Sequence, residues 1–213
     1  MKVDKKSMLL YVVTDTTWLG ENLLTSQVED TIKAGATFIQ LREKDMSLDD
    51  FIREARDIKV LTDRYQVPFV INDNVEVAMA VNADGVHVGQ SDMEASRVRS
   101  LIGKDKILGV SAQTVEQAVT AEKMGADYIG VGAVFATSTK TDANEMSFGT
   151  IKAICEKVSI PVVAIGGINE DNILQLKGSG VHGVAVISAI FSKPDIYSAA
   201  QKLYSLSKEM VSI

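Results

Sequence analysis

Acidic, basic and hydroxyl side chains that could bind a phosphorylated ligand follow several short apolar runs of this 213-residue chain. Asp73 and Asp92 carry the oxygen ligands that a hard divalent cation such as Mg2+ prefers. Arg42 and Lys44 follow one run together, where their two cations could hold an anionic leaving group. Lys140, in a stretch rich in Thr and Ser, could contact a diphosphate. Together these side chains predict a site for a metal-bound diphosphate.

Each of these residues also has a structural interpretation. Asp73 and Asp92 precede helical segments, and an aspartate in that position often caps a helix. Arg42 and Lys44 could be solvated surface charges. The polar segment 135–147 is either an active-site loop or an exposed loop without a function. Taken singly, the residues leave both interpretations open.

A separate phosphate site is predicted at the segments 164–168 and 185–189, whose sequences are AIGGI and AVISA. Backbone N–H groups at a helix N-terminus can bind phosphate, and Gly166 and Gly167 would allow a close approach. The alternative is a tight turn that needs the positive φ of glycine. The segment 130–132 lacks the third glycine and the following acid of a dinucleotide fingerprint, so we do not infer NAD.

Histidine, cysteine and the aromatic residues give weaker signals. His87 and His182 lack metal-ligand spacing, so we interpret both as structural. Cys155, the single cysteine, lies in an apolar helical context that is more typical of a small buried residue than of a nucleophile. Tyr11 and Trp18 could line a pocket for a flat ring, but positions in an early loop or in the core explain them equally well.

The composition narrows the classes of partner. A formal net charge of −6 and a sequence pI near 5.0 argue against a broad basic surface for nucleic acid or anionic lipid. No run of eighteen apolar residues predicts a membrane span, and no secretory leader is recognisable. A single cysteine fits a reducing cytoplasm. We therefore expect small-molecule substrates, no nucleic acid and no membrane; assembly into a homo-oligomer is compatible with the sequence.

Eight short apolar runs rich in Val and Ile predict the strands that position these residues. They cover 8–13, 37–41, 68–71, 85–88, 106–110, 128–131, 161–165 and 183–187. Between them lie stretches with apolar residues at helical spacing, such as 51–61 and 115–124. This alternation favours an α/β fold with a parallel sheet closed into a (β/α)8 or TIM barrel over an open doubly wound sheet. The length predicts one domain, residues 1–213.

Active sites of such barrels lie at the C-terminal ends of the strands. This rule brings polar residues from seven loops to one rim. They are Gln40, Arg42, Glu43, Lys44, Asn72, Asp73, Gln90, Asp92, Ser111, Gln113, Thr137, Ser138, Thr139, Lys140, Gly166, Gly167 and Ser188.

In these segments the chain resembles the thiamine phosphate synthase family. The matching stretches are QLREK at 40–44, IND at 71–73, GVHVGQSD at 85–92, GVS at 109–111, TSTK at 137–140, AIGGI at 164–168 and VISA at 186–189. Each is weak alone, but the ordered set spans nearly the whole barrel and is specific. The chain departs from the pattern at Ala133 and Ala136, where similar proteins often carry proline, and we expect a less rigid loop there.

The resemblance implies a transferase of thiamine biosynthesis. It would join 4-amino-2-methyl-5-(diphosphooxymethyl)pyrimidine to 4-methyl-5-(2-phosphoethyl)thiazole, or its carboxylate form, and release diphosphate by a Mg-assisted dissociative substitution. Implied Mg2+ ligands are Asp73 and Asp92. Implied pyrimidine diphosphate ligands are Gln40, Leu41, Arg42, Glu43, Lys44, Asn72, Ser111 and Lys140, of which Arg42, Lys44, Ser111 and Lys140 are the catalytic residues. Implied thiazole phosphate ligands are Thr137, Ser138, Thr139, Gly167, Ile187 and Ser188.

Three other functions fit part of the pattern. A thiazole tautomerase would share the barrel and the thiazole phosphate site but not the residues that handle diphosphate. A metabolite-binding protein would keep the pocket without turnover, and a phosphosugar isomerase or epimerase would share only the phosphate site. The cation-rich half of the rim favours the transferase over all three; its residues are Arg42, Lys44, Asn72, Asp73, Asp92 and Lys140.

Overall fold

The computed structural model describes residues 3–136 and 145–212. Eight parallel strands follow one another around a closed barrel, and β8 pairs with β1. They are β1 (Leu10–Val13), β2 (Phe38–Leu41), β3 (Phe69–Asn72), β4 (Gly85–Val88), β5 (Ile107–Ala112), β6 (Tyr128–Val131), β7 (Val162–Ile165) and β8 (Val184–Val186). The closed barrel that the apolar runs predict is therefore confirmed.

Helices connect most of these strands. They are α1 (Leu24–Lys33), α2 (Leu48–Tyr65), α3 (Val75–Ala80), α4 (Ala95–Ile102), α5 (Val115–Lys123), α6 (Phe148–Lys157), α7 (Ser188–Phe191) and α8 (Ile196–Val211). The helices predicted around 51–61 and 115–124 are α2 and α5. Within the two described ranges, no helix has both the length and the apolar character needed to cross a membrane.

The connection between β7 and β8 differs from the repeated β/α pattern. It forms only the 3-10 helix Ile173–Leu176, although the alternation predicts a regular helix. Gly178 and Gly180 follow with φ of 83° and 89°, a backbone conformation that does not continue a right-handed helix. Helix α8 packs against this short 3-10 helix.

Two hydrophobic cores result from the alternation of side chains along each strand. Successive residues point to opposite faces. Leu10 and Ile39 point outward and pack beneath the helices. Tyr11, Phe38 and Tyr128 point inward and fill the barrel. The interior is thus unusually aromatic for a barrel, in which branched aliphatic side chains dominate.

The ring of Tyr128 fits inside the barrel because its neighbour on β5 has no side chain. Gly109 is paired with Tyr128 in the ladder between β5 and β6. A Cβ atom at Gly109 would lie 2.1 Å from Cζ and 2.3 Å from the phenolic oxygen of Tyr128. The glycine therefore provides the space that the phenol occupies.

Polar anchors tie the N-terminal face of the barrel together. One or two positions before each even-numbered strand lies a polar residue. Its side chain accepts a hydrogen bond from a backbone N–H of the preceding odd-numbered strand. The pairs are Thr37 with Leu10 (2.9 Å), Asp84 with Phe69 (2.8 Å), Asp127 with Leu108 (2.9 Å) and His182 with Val162 (3.1 Å). The structural interpretation of His182 is thereby confirmed, and burial lowers its pKa.

Candidate active site

The C-terminal mouth of the barrel is polar on one side and apolar on the other. On β2 to β5, the inward-facing side chains nearest the mouth are polar: Gln40, Asn72, His87 and Ser111. Those at the ends of β1, β7 and β8 belong to the apolar interior: Val13, Ile165 and Ile187. A ligand that spans the mouth would therefore meet hydrogen-bonding groups on one side and hydrocarbon on the other.

A cleft of about 780 Å3 opens above β1 and β2. Arg42 lines it, with its backbone N–H bonded to Oγ1 of Thr14 at 3.0 Å and its guanidinium 3.7 Å from the carboxylate of Asp15. The Arg42 side chain is only 17% exposed, whereas Lys44 is exposed at the edge of the same cleft. Trp18 lines the cleft and also packs against the outer core, so a role in binding a flat ring stays a prediction.

Two acidic side chains, Glu43 at the cleft and Glu54 on α2, interact with each other. Oε1 of Glu43 and Oε2 of Glu54 are buried and have no hydrogen-bond partner among the described residues. Burial, followed by repulsion from Glu54 and Asp15, raises the pKa of Glu43 to about 7. Burial also raises the pKa of Glu54. We expect the two carboxyl groups to share one proton, which would satisfy both oxygens and remove the repulsion between them.

The pair makes stability depend on pH. Because the folded-state pKa of Glu43 exceeds its unfolded value, its stabilising contribution is present at low pH and is lost as pH rises through about 7. We expect Glu43→Gln to raise the free energy of unfolding by about 1 kcal/mol more at pH 8 than at pH 5, after discounting for the solvent that reaches this half-buried pair. Urea unfolding at both pH values measures the difference.

The control for this prediction is Glu76→Gln, which removes the same charge from an exposed position on α3. Its effect on stability should be small and similar at both pH values. If Glu43→Gln behaved like this control, the two carboxyl groups would not share a proton.

Asp73 and Asp92 lie on the loops after β3 and β4. The N-cap of α3 is Asn74 and that of α4 is Glu94, so the helix-capping interpretation is wrong for both aspartates. The backbone N–H of Asp73 donates to the carbonyl of His87 at 2.8 Å, which joins the two loops. Asp73 has a positive φ of 61°, an uncommon conformation outside glycine.

The side chain of Asp92 is exposed at the mouth, and its Oδ2 accepts the backbone N–H of Gly89 at 2.7 Å. The described residues contain no cluster of three or more His, Cys, Asp or Glu. Carboxylates such as these suit a hard cation that completes its shell with water and phosphate oxygens.

Gln40 and Ser111 are connected through the barrel interior. Nε2 of Gln40 donates to the Tyr11 hydroxyl at 2.5 Å, and Oγ of Ser111 lies 2.9 Å from Nε2 of His87. Tyr11 is thus a core residue, whereas His87 contacts a predicted substrate ligand. Sequence reasoning missed the pairing of His87 with Ser111. The available signal was a polar residue at an inward position of an otherwise apolar strand.

The glycines after β7 are required by the backbone itself. Gly166 and Gly167 have φ of 102° and 65°. A Cβ atom at Gly167 would lie 2.3 Å from the carbonyl oxygen of Ala136. The tight-turn interpretation is therefore confirmed, and the phosphate role stays a prediction. Ile187 and Ser188 stand at the start of the four-residue helix α7.

The remaining predicted residues have different outcomes. Leu41 is fully buried in the outer core, so only its backbone could meet a substrate. Burial raises the pKa of Cys155 to about 11, which agrees with a non-nucleophilic thiol. Thr137, Ser138, Thr139 and Lys140 lie outside the described residues.

The sequence of this chain is similar to those of known thiamine phosphate synthases. Residues 10–190 match the family described as thiamine monophosphate synthase. The chain is 55% identical over 197 residues to thiamine-phosphate synthase of Ruminiclostridium cellulolyticum, with 92% of this chain and 94% of the relative covered. It is 50% identical over 200 residues to thiamine-phosphate synthase of Clostridium tetani, with 94% and 96% covered.

A solved structure gives the same result. Thiamine phosphate pyrophosphorylase from Pyrococcus furiosus superposes with a TM-score of 0.90 at 38% identity, covering 98% of this chain and 99% of that one. This chain therefore belongs to the thiamine monophosphate synthase family of enzymes.

Proposed function

We propose that this chain joins 4-amino-2-methyl-5-(diphosphooxymethyl)pyrimidine to 4-methyl-5-(2-phosphoethyl)thiazole, or to its carboxylate form, giving thiamine phosphate and diphosphate. Besides family membership, the observation that carries the proposal is the two-sided mouth of the barrel. An aminopyrimidine needs hydrogen-bonding partners at its edge, whereas a thiazole ring presents mainly apolar surface. The polar half of the mouth can supply the hydrogen bonds to the aminopyrimidine, and the apolar half can contact the thiazole ring.

The pyrimidine diphosphate would lie over β2 to β5. Gln40, Asn72 and Ser111 would bind the ring and the adjoining polar groups. Arg42 and Lys44, at the cleft, would bind the diphosphate, and Arg42 can do so in bidentate fashion. The full proposed set is Gln40, Leu41, Arg42, Glu43, Lys44, Asn72, Ser111 and Lys140.

The thiazole phosphate would lie over β6 to β8. Ile187 would contact the ring, while Gly167 and Ser188 would bring backbone N–H groups to the phosphate. Thr137, Ser138 and Thr139 complete this proposed set. The two substrates would then meet above the barrel axis.

Asp73 and Asp92 would hold the Mg2+ ion. Their carboxylates, together with diphosphate oxygens and water, are the ligands that this ion prefers. When bound, the ion neutralises charge on the diphosphate and so improves it as a leaving group.

The chemistry needs no protein nucleophile. The thiazole nitrogen attacks the methylene carbon of the pyrimidine, and the bond from that carbon to the diphosphate oxygen breaks. Positive charge on the methylene carbon is delocalised onto the amino group of the ring, so bond breaking can precede attack. Arg42, Lys44 and Lys140 stabilise the negative charge that develops on the diphosphate, and Ser111 orients the ring.

We further propose that residues 1–213 form a single catalytic domain.

The direct test mixes purified protein with both substrates, in Mg2+ or in EDTA, and quantifies thiamine phosphate and diphosphate. We expect equal amounts of the two products and no turnover in EDTA. Binding of both substrates without product would contradict the transferase. Interconversion of thiazole carboxylate phosphate isomers in the same mixture would instead support the tautomerase.

The proposed metal ligands give a separate prediction. Asp73→Asn and Asp92→Asn should each raise the Mg2+ concentration needed for half-maximal activity by roughly 10- to 100-fold, because a neutral amide replaces one of two charged ligands. Asp105→Asn, at an exposed position before β5, is the matched control. Unchanged Mg2+ titrations in both active-site variants would remove these aspartates as ligands.

A further inference from the structure

A chain of four hydrogen bonds crosses the interior of the barrel. Gln40 donates to Tyr11 at 2.5 Å, and the hydroxyls of Tyr11 and Tyr128 are 2.7 Å apart. The Tyr128 hydroxyl lies 2.8 Å from Nδ1 of His87, whose Nε2 is 2.9 Å from Oγ of Ser111. We call these five residues the axial chain. Its two ends are residues proposed to bind the pyrimidine.

The axial chain is not needed to fill space. Phenylalanine at positions 11 and 128 would occupy nearly the same volume without burying a hydroxyl that needs a partner. Both tyrosines are fully buried, and burial raises both phenol pKa values, so each hydroxyl keeps its proton at neutral pH. Gly109 moreover leaves the space that the Tyr128 hydroxyl occupies. The role of the two hydroxyls is therefore to connect Gln40 and Ser111, the residues at the two ends of the axial chain.

The direction of every bond follows from Gln40. An amide nitrogen can only donate, so the Tyr11 oxygen accepts and its proton points to Tyr128. The Tyr128 proton in turn points to Nδ1 of His87. His87 must then carry its proton on Nε2, which donates to Ser111. Each hydroxyl has one proton, so reversing one bond reverses them all.

The direction of these hydrogen bonds determines which donor and acceptor atoms are available to a ligand. Because Ser111 accepts from His87, its own proton is directed elsewhere and is available to a ring nitrogen. Gln40 uses Nε2 for Tyr11, so its Oε1 remains an acceptor for an exocyclic amino group. A donor at Ser111 and an acceptor at Gln40 match the edge of an aminopyrimidine, which presents an acceptor beside a donor.

We propose that Tyr11, Tyr128 and His87 are positioning residues that fix the donor and acceptor pattern of Gln40 and Ser111 toward the pyrimidine. This inference rests on the proposed function for the identity of the ligand. The hydrogen-bond direction itself does not depend on turnover. The two can therefore be tested separately.

The first test uses turnover. Tyr128→Phe should lower kcat/KM for the pyrimidine diphosphate about tenfold, as for a lost hydrogen bond that orders a binding group. Tyr65→Phe is the matched control, since its hydroxyl donates to Glu29 between two outer helices, and its kinetics should stay unchanged. In a Ser111→Ala background, Tyr128→Phe should cost about threefold instead of tenfold, because one of the two residues that it positions is gone and only Gln40 remains. Full additivity of the two substitutions would overturn the inference.

The second test needs no substrate. In 15N NMR of the labelled protein at pH 8, we expect His87 to be protonated on Nε2. Gln40→Glu places an acceptor-only carboxylate beside Tyr11, which reverses every bond and moves the His87 proton to Nδ1. Adding Tyr128→Phe should abolish this reversal. His182, whose Nδ1 accepts the Val162 N–H, is an internal control that should not change.

The outcomes separate the two proposals. A His87 tautomer that ignores Gln40→Glu would overturn the inference, whatever the activity. Tautomer reversal in a protein without transferase activity would support the axial chain and contradict the proposed function instead.

Discussion

Replacing Arg42 by methionine is expected to lower kcat/KM for thiamine phosphate formation by roughly two to three orders of magnitude. Removing one preorganised group that stabilises developing charge typically costs this much. The guanidinium is mostly shielded from solvent and lines the cleft, so its charge is only weakly screened there. The loss should be in kcat more than in KM, because the negative charge on the diphosphate grows as the bond breaks.

The backbone around Arg42 should survive this substitution. Its N–H donates to Thr14, whose own N–H donates to the carbonyl of Gln40, and neither bond uses the Arg42 side chain. Arg64→Met is the matched control, since that arginine is 65% exposed on α2. Circular dichroism and thermal melting check the fold of both variants. A loss below threefold in a folded Arg42→Met protein would remove Arg42 from the proposed catalytic set.

The largest effect on stability is expected for Arg99→Met, which should lower the free energy of unfolding by about 3 kcal/mol, the low end for breaking a buried ion pair. On the N-terminal side of the barrel, Arg99 forms an ion pair of 2.5 Å with Asp127. Its guanidinium also donates to the carbonyls of Gly103, Lys106 and Gly125 at 2.7 to 3.1 Å. Methionine keeps the apolar stem but removes the donor to these three carbonyls and the charge that balances a mostly buried carboxylate.

Arg97→Met provides the control, because Arg97 is exposed on the same helix. For a chain of this length, about 3 kcal/mol corresponds to a fall of roughly 6–12 °C in Tm, which differential scanning calorimetry resolves. Arg99→Lys should recover only part of the loss, since an ammonium lacks the planar fork that reaches several carbonyls at once. Equal melting of the two methionine variants would contradict the role assigned to Arg99.

Most of the barrel was predictable because its strands are buried on both faces and so consist of continuous apolar runs. The ranges 85–88 and 128–131 have the bounds of β4 and β6. The ends of β3 and β5 were less predictable. Asn72 and Ser111 extend these strands by pairing with His87 and Gly130, although their side chains are polar.

The rim residues could be predicted from the rule that barrel sites follow the strands, but contacts across the barrel could not. Tyr11 and Tyr128 are 117 positions apart, and their meeting depends on strand stagger and on the missing side chain of Gly109. The Glu43–Glu54 pair depends likewise on how α2 returns to β2. No local spacing encodes either contact, because the first is set by the closure of the sheet and the second by the packing of α2.

The anchors before the even-numbered strands bear on how this scaffold can change. Thr37, Asp84, Asp127 and His182 all lie at the end of the barrel opposite the mouth. The proposed substrate-binding residues and these anchors thus lie at opposite ends of the same strands. A library that randomises the mouth should yield many folded proteins with altered chemistry, whereas the same diversity at the anchors should yield few. The barrel is therefore suited to acquiring new activities by exchange of its mouth residues alone.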